Sequence, residues 1–359
     1  MHLNRLGALR RAGLVAALAG ALALAAPGVA GATGGHHAPP ALKVMSQNLY
    51  LGSSLEPALV ATTPEEFVVG VTTIWQTAQF TNFPARAKAI AATIDRADPD
   101  LVGLQEVSRW TPVGPGAPAG LDFLAILQAE LAARGLHYTV AAVSENANIG
   151  PAPLICDFTT GALCTYALQF QDRDVILVNR HTRGLAWWGA ASGRYVNQQL
   201  LPSPVGTLSF DRGWASIEAK YWGQRFRFVN THLETEDYPA VQEAQAMEFL
   251  AGPAKSRGRV IATGDFNSAA DGSTTASYRA LTSKFRDAWW VNGARKGYTC
   301  CQNGTLTNTT SELRSRIDLV LTRGARTQSA WVVGARPFQA VPPFWPSDHA
   351  GVVAVMKLV

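Results

Sequence analysis

The chain has 359 residues, 47% of them hydrophobic, with a formal charge of +5. That is enough for a large core, in one big domain or two small ones. Arg5, Arg10 and Arg11 carry three of those charges ahead of any acidic residue, and without them the balance falls to +2, which excludes a strong polyanion footprint in the overall charge.

The three arginines precede an Ala/Leu-rich apolar run over about 12–27, and Ala30-Gly31-Ala32 follows with small side chains. Basic, apolar, small is the layout of a signal peptide, so 1–32 is expected to be cleaved near Ala32 and the protein secreted. Pro27 interrupts the run, and no other stretch is long and apolar enough to span a bilayer. Residues 33–41, with His36 and His37, read as a flexible lead-in, and 42–359 as one folded domain. Four cysteines in an exported chain predict structural disulfides. Cys156 and Cys164 can close a small loop, adjacent Cys300 and Cys301 would form a strained bridge, and crossed pairing of 156/164 with 300/301 is equally open.

Beyond the lead-in, strands and helices alternate. Leu42–Asn48 reads as a strand. Residues 84–97 read as a helix, with Pro84 at its start, Ile90 and Ile94 on one face and Pro99 past its end. Leu101–Gln105 reads as a buried strand, and Asp122 caps a helix that Gly135 ends. Strands are expected over 174–178, 215–219 and 226–230, then a helix over Pro239–Ala251 closed by Gly252-Pro253, then strands over 259–263, 317–321 and 351–357. The short spacing between 215–219 and 226–230 favours antiparallel hairpins in a mixed sheet, and the whole suggests sheets packed on each other with helices outside. Residues 141–171 and 291–315 read as long loops, which are often binding rims.

Polar groups recur at the strand ends: Asn48 in "VMSQN", Gln105-Glu106 in "LVGLQE", Asn230 and His232 in "RFVNTHLE", Asp265 and Asn267 in "VIATGDFN", Asp318 in "RIDLVL", and Asp348-His349 before the last strand. Turn chemistry explains any one of these but not six. Residues two apart on a strand point the same way, so Asp265 and Asn267 share a face while Phe266 turns to the core. Hard oxygen donors dominate, which favours Mg²⁺ or Ca²⁺ over zinc, and two histidines suit proton movement near neutral pH.

The ordered series "SQN", "LQEV", "NTHLE", "GDFN", "RIDLVL" and "SDH" resembles the endonuclease/exonuclease/phosphatase superfamily, the DNase I-like fold, over nearly all of 42–359. "NLYLG" and "THLE" are similar to exported bacterial members. The resemblance implies an α/β (α+β) four-layer sandwich of two mixed β-sheets packed face to face, with helices on the outside. It also implies roles: Glu106 as principal Mg²⁺ ligand (Mn²⁺ or Ca²⁺ in its place) beside Asn48, and Asp348 as a further metal-site acid. Asp265 would orient or deprotonate the attacking water, Asn267 would hold the phosphate, and His349 would be the catalytic histidine oriented by Asp318. His232 matches a second histidine of nuclease-like and sphingomyelinase-like members; it, or a metal-bound water, would protonate the leaving group. An alternative for Asp318 is a core acid paired with Arg316. His137 and His181 read as structural, Arg173 as a solvated charge, and Asp174 has no role. The expected partner is a phosphodiester substrate, nucleic acid or phospholipid, and Trp110 and Trp345 are candidates to stack on bases or dip into a lipid interface. A complete set of core positions argues against a catalytically silent binding protein on the same fold.

Overall fold

The computed structural model describes residues 39–359; the expected signal peptide and residues 33–38 lie outside them. Two mixed sheets form the centre. The eight-stranded sheet runs in the order Ala325–Val333, Gly351–Leu358, Leu42–Asn48, Leu101–Gln105, Ala162–Asn179, Arg109–Val113, Leu121–Asp122, with Tyr138–Asp157 also on Ala162–Asn179. The six-stranded sheet runs Arg286–Asp287, Asp318–Arg323, Arg259–Asp265, Gln224–His232, Gly213–Tyr221, Leu185–Arg194. Each contains one parallel pair, Leu42–Asn48 with Leu101–Gln105 and Gln224–His232 with Arg259–Asp265.

Strand periodicity assigns the layers. Leu42, Val44, Leu101, Ile176 and Val178 of the first sheet pack against Ala215, Ile217, Phe228, Ile261 and Val320 of the second. Met45, Val102 and Leu104 point the other way, onto helices Pro64–Phe80, Phe83–Ala97 and Phe123–Ala133. Val229, Val260, Ala262 and Leu319 face Phe249 of Pro239–Ala251 and Tyr278 and Leu281 of Ser277–Thr282. Helix, sheet, sheet, helix is the four-layer sandwich expected. Gly103 lies where the two sheets come together; a Cβ there would collide with Thr263 and Asn230. Asn230 spans the gap, accepting from Gln105 Nε2 at 2.6 Å and donating to Leu104 O at 2.8 Å, so this strand-end amide joins the sheets rather than facing a ligand.

Several expectations are corrected. Residues 141–171 are not a loop but most of a long hairpin, Tyr138–Asp157 with Ala162–Asn179, whose pairing slips at five places; those slips, with Pro151 and Pro153, erase the alternation that marks a strand. A disulfide joins Cys156 to Cys164 near its tip, so the crossed pairing is excluded. Helix Pro64–Phe80 was absent from the sequence reading although Thr63 caps it, accepting from the Glu66 amide, and Phe67, Val71, Ile74, Trp75 and Ala78 form its buried face. Arg173 is not solvated: it is buried and bonded to Asp122 at 2.6 Å and to Val107 O. Trp110 and Trp345 are buried, their indole N–H groups on Leu51 O and Asn308 O, so neither is available to a base or a lipid. No helix of the described residues is long and apolar enough to cross a membrane.

Candidate active site

The C-terminal ends of both parallel pairs lie at one end of the sandwich and release Asn48, Gln105-Glu106, His232 and Asp265 together. The antiparallel neighbours begin there: Asp318 pairs with Asp265, and Gly351–Leu358 starts two residues after His349. The chain leaves the sheets through left-handed residues at Tyr50, Glu106 and Asn267, with φ of 64°, 54° and 48°, a conformation that costs energy in non-glycine residues and clusters at functional sites.

Asp265 sits at the centre. Its Oδ2 accepts from Asn48 Nδ2 at 3.0 Å and its Oδ1 from the Asn267 amide at 3.0 Å. His232 Nε2 and His349 Nε2 lie 3.6 and 3.7 Å from Oδ2. Phe266, between Asp265 and Asn267 in the chain, is buried, edge-on to Phe249. The other nitrogen of His349, Nδ1, bonds Asp318 Oδ2 at 2.8 Å, whereas Arg316 is taken by Asp287 at 2.7 Å. Burial alone would lower His349, but Asp318, Asp348 and Asp265 raise it well above its ordinary value, so it stands as an imidazolium among three carboxylates. Asp318 is pushed up to about 6 by burial, against the pull of His349.

Glu106 accepts the Leu51 amide on Oε2 at 2.6 Å. Burial, then the charge of Asp348, pushes its carboxyl up to about 8, and burial also raises Asp348. Two crowded acids that resist ionisation offer carboxylate oxygens that would suit a hard divalent cation, with His349 Nε2 4.0 Å from Asp348 Oδ1. Beside this corner, Asn48 holds Asp265 with its Nδ2 and takes the Tyr50 amide on its Oδ1 at 2.8 Å, leaving one lone pair on that oxygen.

The sequence reading missed the cations around this set. Arg212 Nη1 lies 3.1 and 3.2 Å from the two ring nitrogens of His232, and Nη2 bonds Glu234 Oε1 at 3.2 Å. Burial and then Arg212 push His232 down to about 3. A histidine held neutral is a poor proton donor; Asn267 Nδ2 lies on its Nε2 at 3.0 Å and on Leu233 O at 2.9 Å. Asp172 and Asp174 are buried beside it. Arg86, fully buried, donates to Thr81 O, Leu49 O, Pro346 O and Tyr50 O and so ties the Asn48 loop to the segment carrying Asp348. Its position four residues before Ile90, on the apolar face of its helix, was a visible signal. Cys301 Sγ is 3.7 Å from His349 Nε2. His137 and His181 lie tilted against each other at the surface, ring centres 4.4 Å apart.

The profile of the Endonuclease/Exonuclease/phosphatase family matches residues 45–349, a span that takes in every residue of this cluster. No curated protein matches the chain. Among solved structures, a family protein from Bacteroides thetaiotaomicron is 18% identical, covering 89% of this chain and 95% of its own at a TM-score of 0.54. A mannosyl-6-phosphatase from the same species is 18% identical, covering 88% and 99% at 0.53. One from Beutenbergia cavernae is 20% identical, covering 89% and 72% at 0.52. At such identities these likenesses speak for the fold alone. Fold, profile and the ordered strand-end residues agree, and the chain belongs to the endonuclease/exonuclease/phosphatase family, on a phosphoesterase fold of the DNase I-like type.

Proposed function

We propose that the protein is a secreted, Mg²⁺-dependent phosphoesterase that cleaves phosphodiesters by in-line attack of water, with nucleic acid as substrate. The observation that carries the reaction is His349, fixed by Asp318 at 2.8 Å on one nitrogen and facing Asp265 at 3.7 Å with the other. An imidazolium held there places positive charge and a proton where charge grows on phosphorus oxygens. Asp265 orients the water and takes its proton. Asn267 has one amide hydrogen on Leu233 O, and its other, turned to His232, is the one a phosphoryl oxygen would take. Glu106 and Asp348, with Asn48 beside them, would hold the divalent ion, whose chemistry is to neutralise charge on the ester.

Nucleic acid is supported by a cavity of about 220 Å³ beside the 269–271 and 314–316 segments, lined by Arg295, Lys296, Arg314, Trp290 and Tyr298. All five are exposed, and Asp271 is the one acid in the lining. Cations with aromatic faces suit a polynucleotide strand. One feature favours a second reading, a phospholipid. The hairpin Gln339–Ala340 with Pro343–Phe344, just before "SDH", exposes 89% of Val341 and sets Phe338 and Phe80 against Phe344, an apolar tip suited to a lipid surface.

The test is turnover of DNA, RNA and sphingomyelin vesicles by the mature protein with Mg²⁺ or chelator. Nuclease activity that falls steeply with salt supports the first reading. Activity confined to vesicles, and lost on Val341→Asp, supports the second. His349→Ala and Asp265→Ala should each lose roughly a hundredfold or more while staying folded; near-normal rates in either would remove its assigned role. No turnover of any phosphate ester would leave a silent binding protein.

A further inference from the structure

Asp172 and Asp174 are two apart on strand Ala162–Asn179 and so share a face. They are 4% and 0% exposed. Asn146 Nδ2 donates to Oδ2 of each, at 3.2 and 2.9 Å. The remaining oxygen of each, Oδ1, is buried without a hydrogen-bond partner. Across the gap between the sheets stands His232, and Asp172, Asp174 and His232 can each bring a ligand atom within 4.8 Å of the other two. Buried polar atoms are nearly always partnered, and two carboxylate oxygens orphaned beside a buried imidazole have no hydrogen-bond donor there.

We propose that Asp172, Asp174 and His232 form a second cation site, separate from the Glu106–Asp348 corner, that takes a divalent transition ion such as Mn²⁺ or Zn²⁺. Two carboxylates and one neutral imidazole are a mixed oxygen–nitrogen donor set, which suits these ions, whereas Mg²⁺ favours oxygen alone. Arg212 is a nearby cation and opposes a second one. Its guanidinium is bonded to Glu234 and makes no hydrogen bond to either aspartate, although its charge, and for Asp172 that of Arg173, pulls both carboxyls down against their burial. The site faces the reaction centre from behind, since His232 also lies against Asn267 and 3.6 Å from Asp265.

Ion counting on the purified protein tests this without reference to any substrate. With millimolar Mg²⁺ present to fill the oxygen-rich corner, wild-type protein dialysed against micromolar Mn²⁺ or Zn²⁺ should retain one such ion per chain. The Asp172→Asn, Asp174→Asn double variant should retain none, and Glu106→Gln should still retain it. Anomalous diffraction from wild-type crystals soaked in Mn²⁺ gives an answer even where the double variant fails to fold, with a peak expected among the three side chains. No retained ion in the wild type, or a peak only at Glu106, overturns the inference. Phosphoesterase turnover in Mg²⁺ alone would survive that result, so the two ideas fail separately.

Discussion

At the scale of single residues, the site is governed by which charges have partners. His349 is raised because carboxylates surround it, and Asp318 is the one in hydrogen-bond contact. Asp318→Asn keeps the shape and removes the charge. We expect turnover to fall about a hundredfold, by analogy with loss of one electrostatic donor at about 3 kcal/mol. A raised pKa keeps the imidazolium through neutrality and loses it as pH rises; with the carboxylate gone, that loss should move to lower pH, and a pH–rate profile of the variant reads it. Arg212 makes the opposite case. Removing it as Arg212→Met strands Glu234, which is buried with its Oε2 already unpartnered, and should cost about 3–5 kcal/mol in denaturant unfolding. Adding Glu234→Gln should recover a good part of that loss, and a double variant as unstable as the single would show that the pair is not the cause. Asp265, His349 and Asp318 were legible because each ends or begins a recognisable strand. Arg212 and Asp172 were not, since their partners lie in distant segments that no local spacing connects.

At the scale of elements, helix Phe83–Ala97 fixes the cleft through one side chain. Arg86 gathers four main-chain carbonyls from three segments, and its neighbours Phe83 and Phe123 stack at 3.6 Å beneath it. Arg86→Met fills the same space and leaves those carbonyls bare, so we expect about 3 kcal/mol of lost stability, measured as a lower denaturant midpoint with unchanged slope, and a weaker apparent affinity for Mg²⁺. Strands Leu42–Asn48 and Leu101–Gln105 and helix Pro239–Ala251 have the bounds read from sequence, because their apolar runs stop at clear punctuation. The long hairpin defeated that reading: a strand that slips register five times has no period to find, and its pairing is decided by its partner strand.

At the scale of the whole molecule, the catalytic end concentrates negative charge. Glu106, Asp172, Asp174, Asp265, Asp318 and Asp348 gather near Arg212 and His349, and burial raises Glu106, Asp172, Asp174 and Asp348 above their ordinary values. A ligand that binds the folded state alone stabilises it by mass action. Millimolar Mg²⁺ should therefore raise Tm by several degrees, and the gain should vanish in Glu106→Gln; an equal shift in both proteins would mean that the ion acts elsewhere. The layer order was readable from the alternation of elements, but the closeness of the two sheets was not, since it depends on what Gly103 meets across the gap.

That closeness has a mechanical result. Glu106 and Asp348 ride on one sheet, and Asp265, Asp318 and His232 on the other, so the cleft is a vernier whose reading is the stagger of one pleated slab over its mate. The Gln105–Asn230 amide clasp, backed by a glycine with no side chain to hold the slabs apart, sets that stagger. A slide of a single ångström deep in the sandwich would misalign the reacting groups even with every rotamer kept, and would stretch the Asn48–Asp265 and Asp318–His349 bonds that cross from one slab to the other.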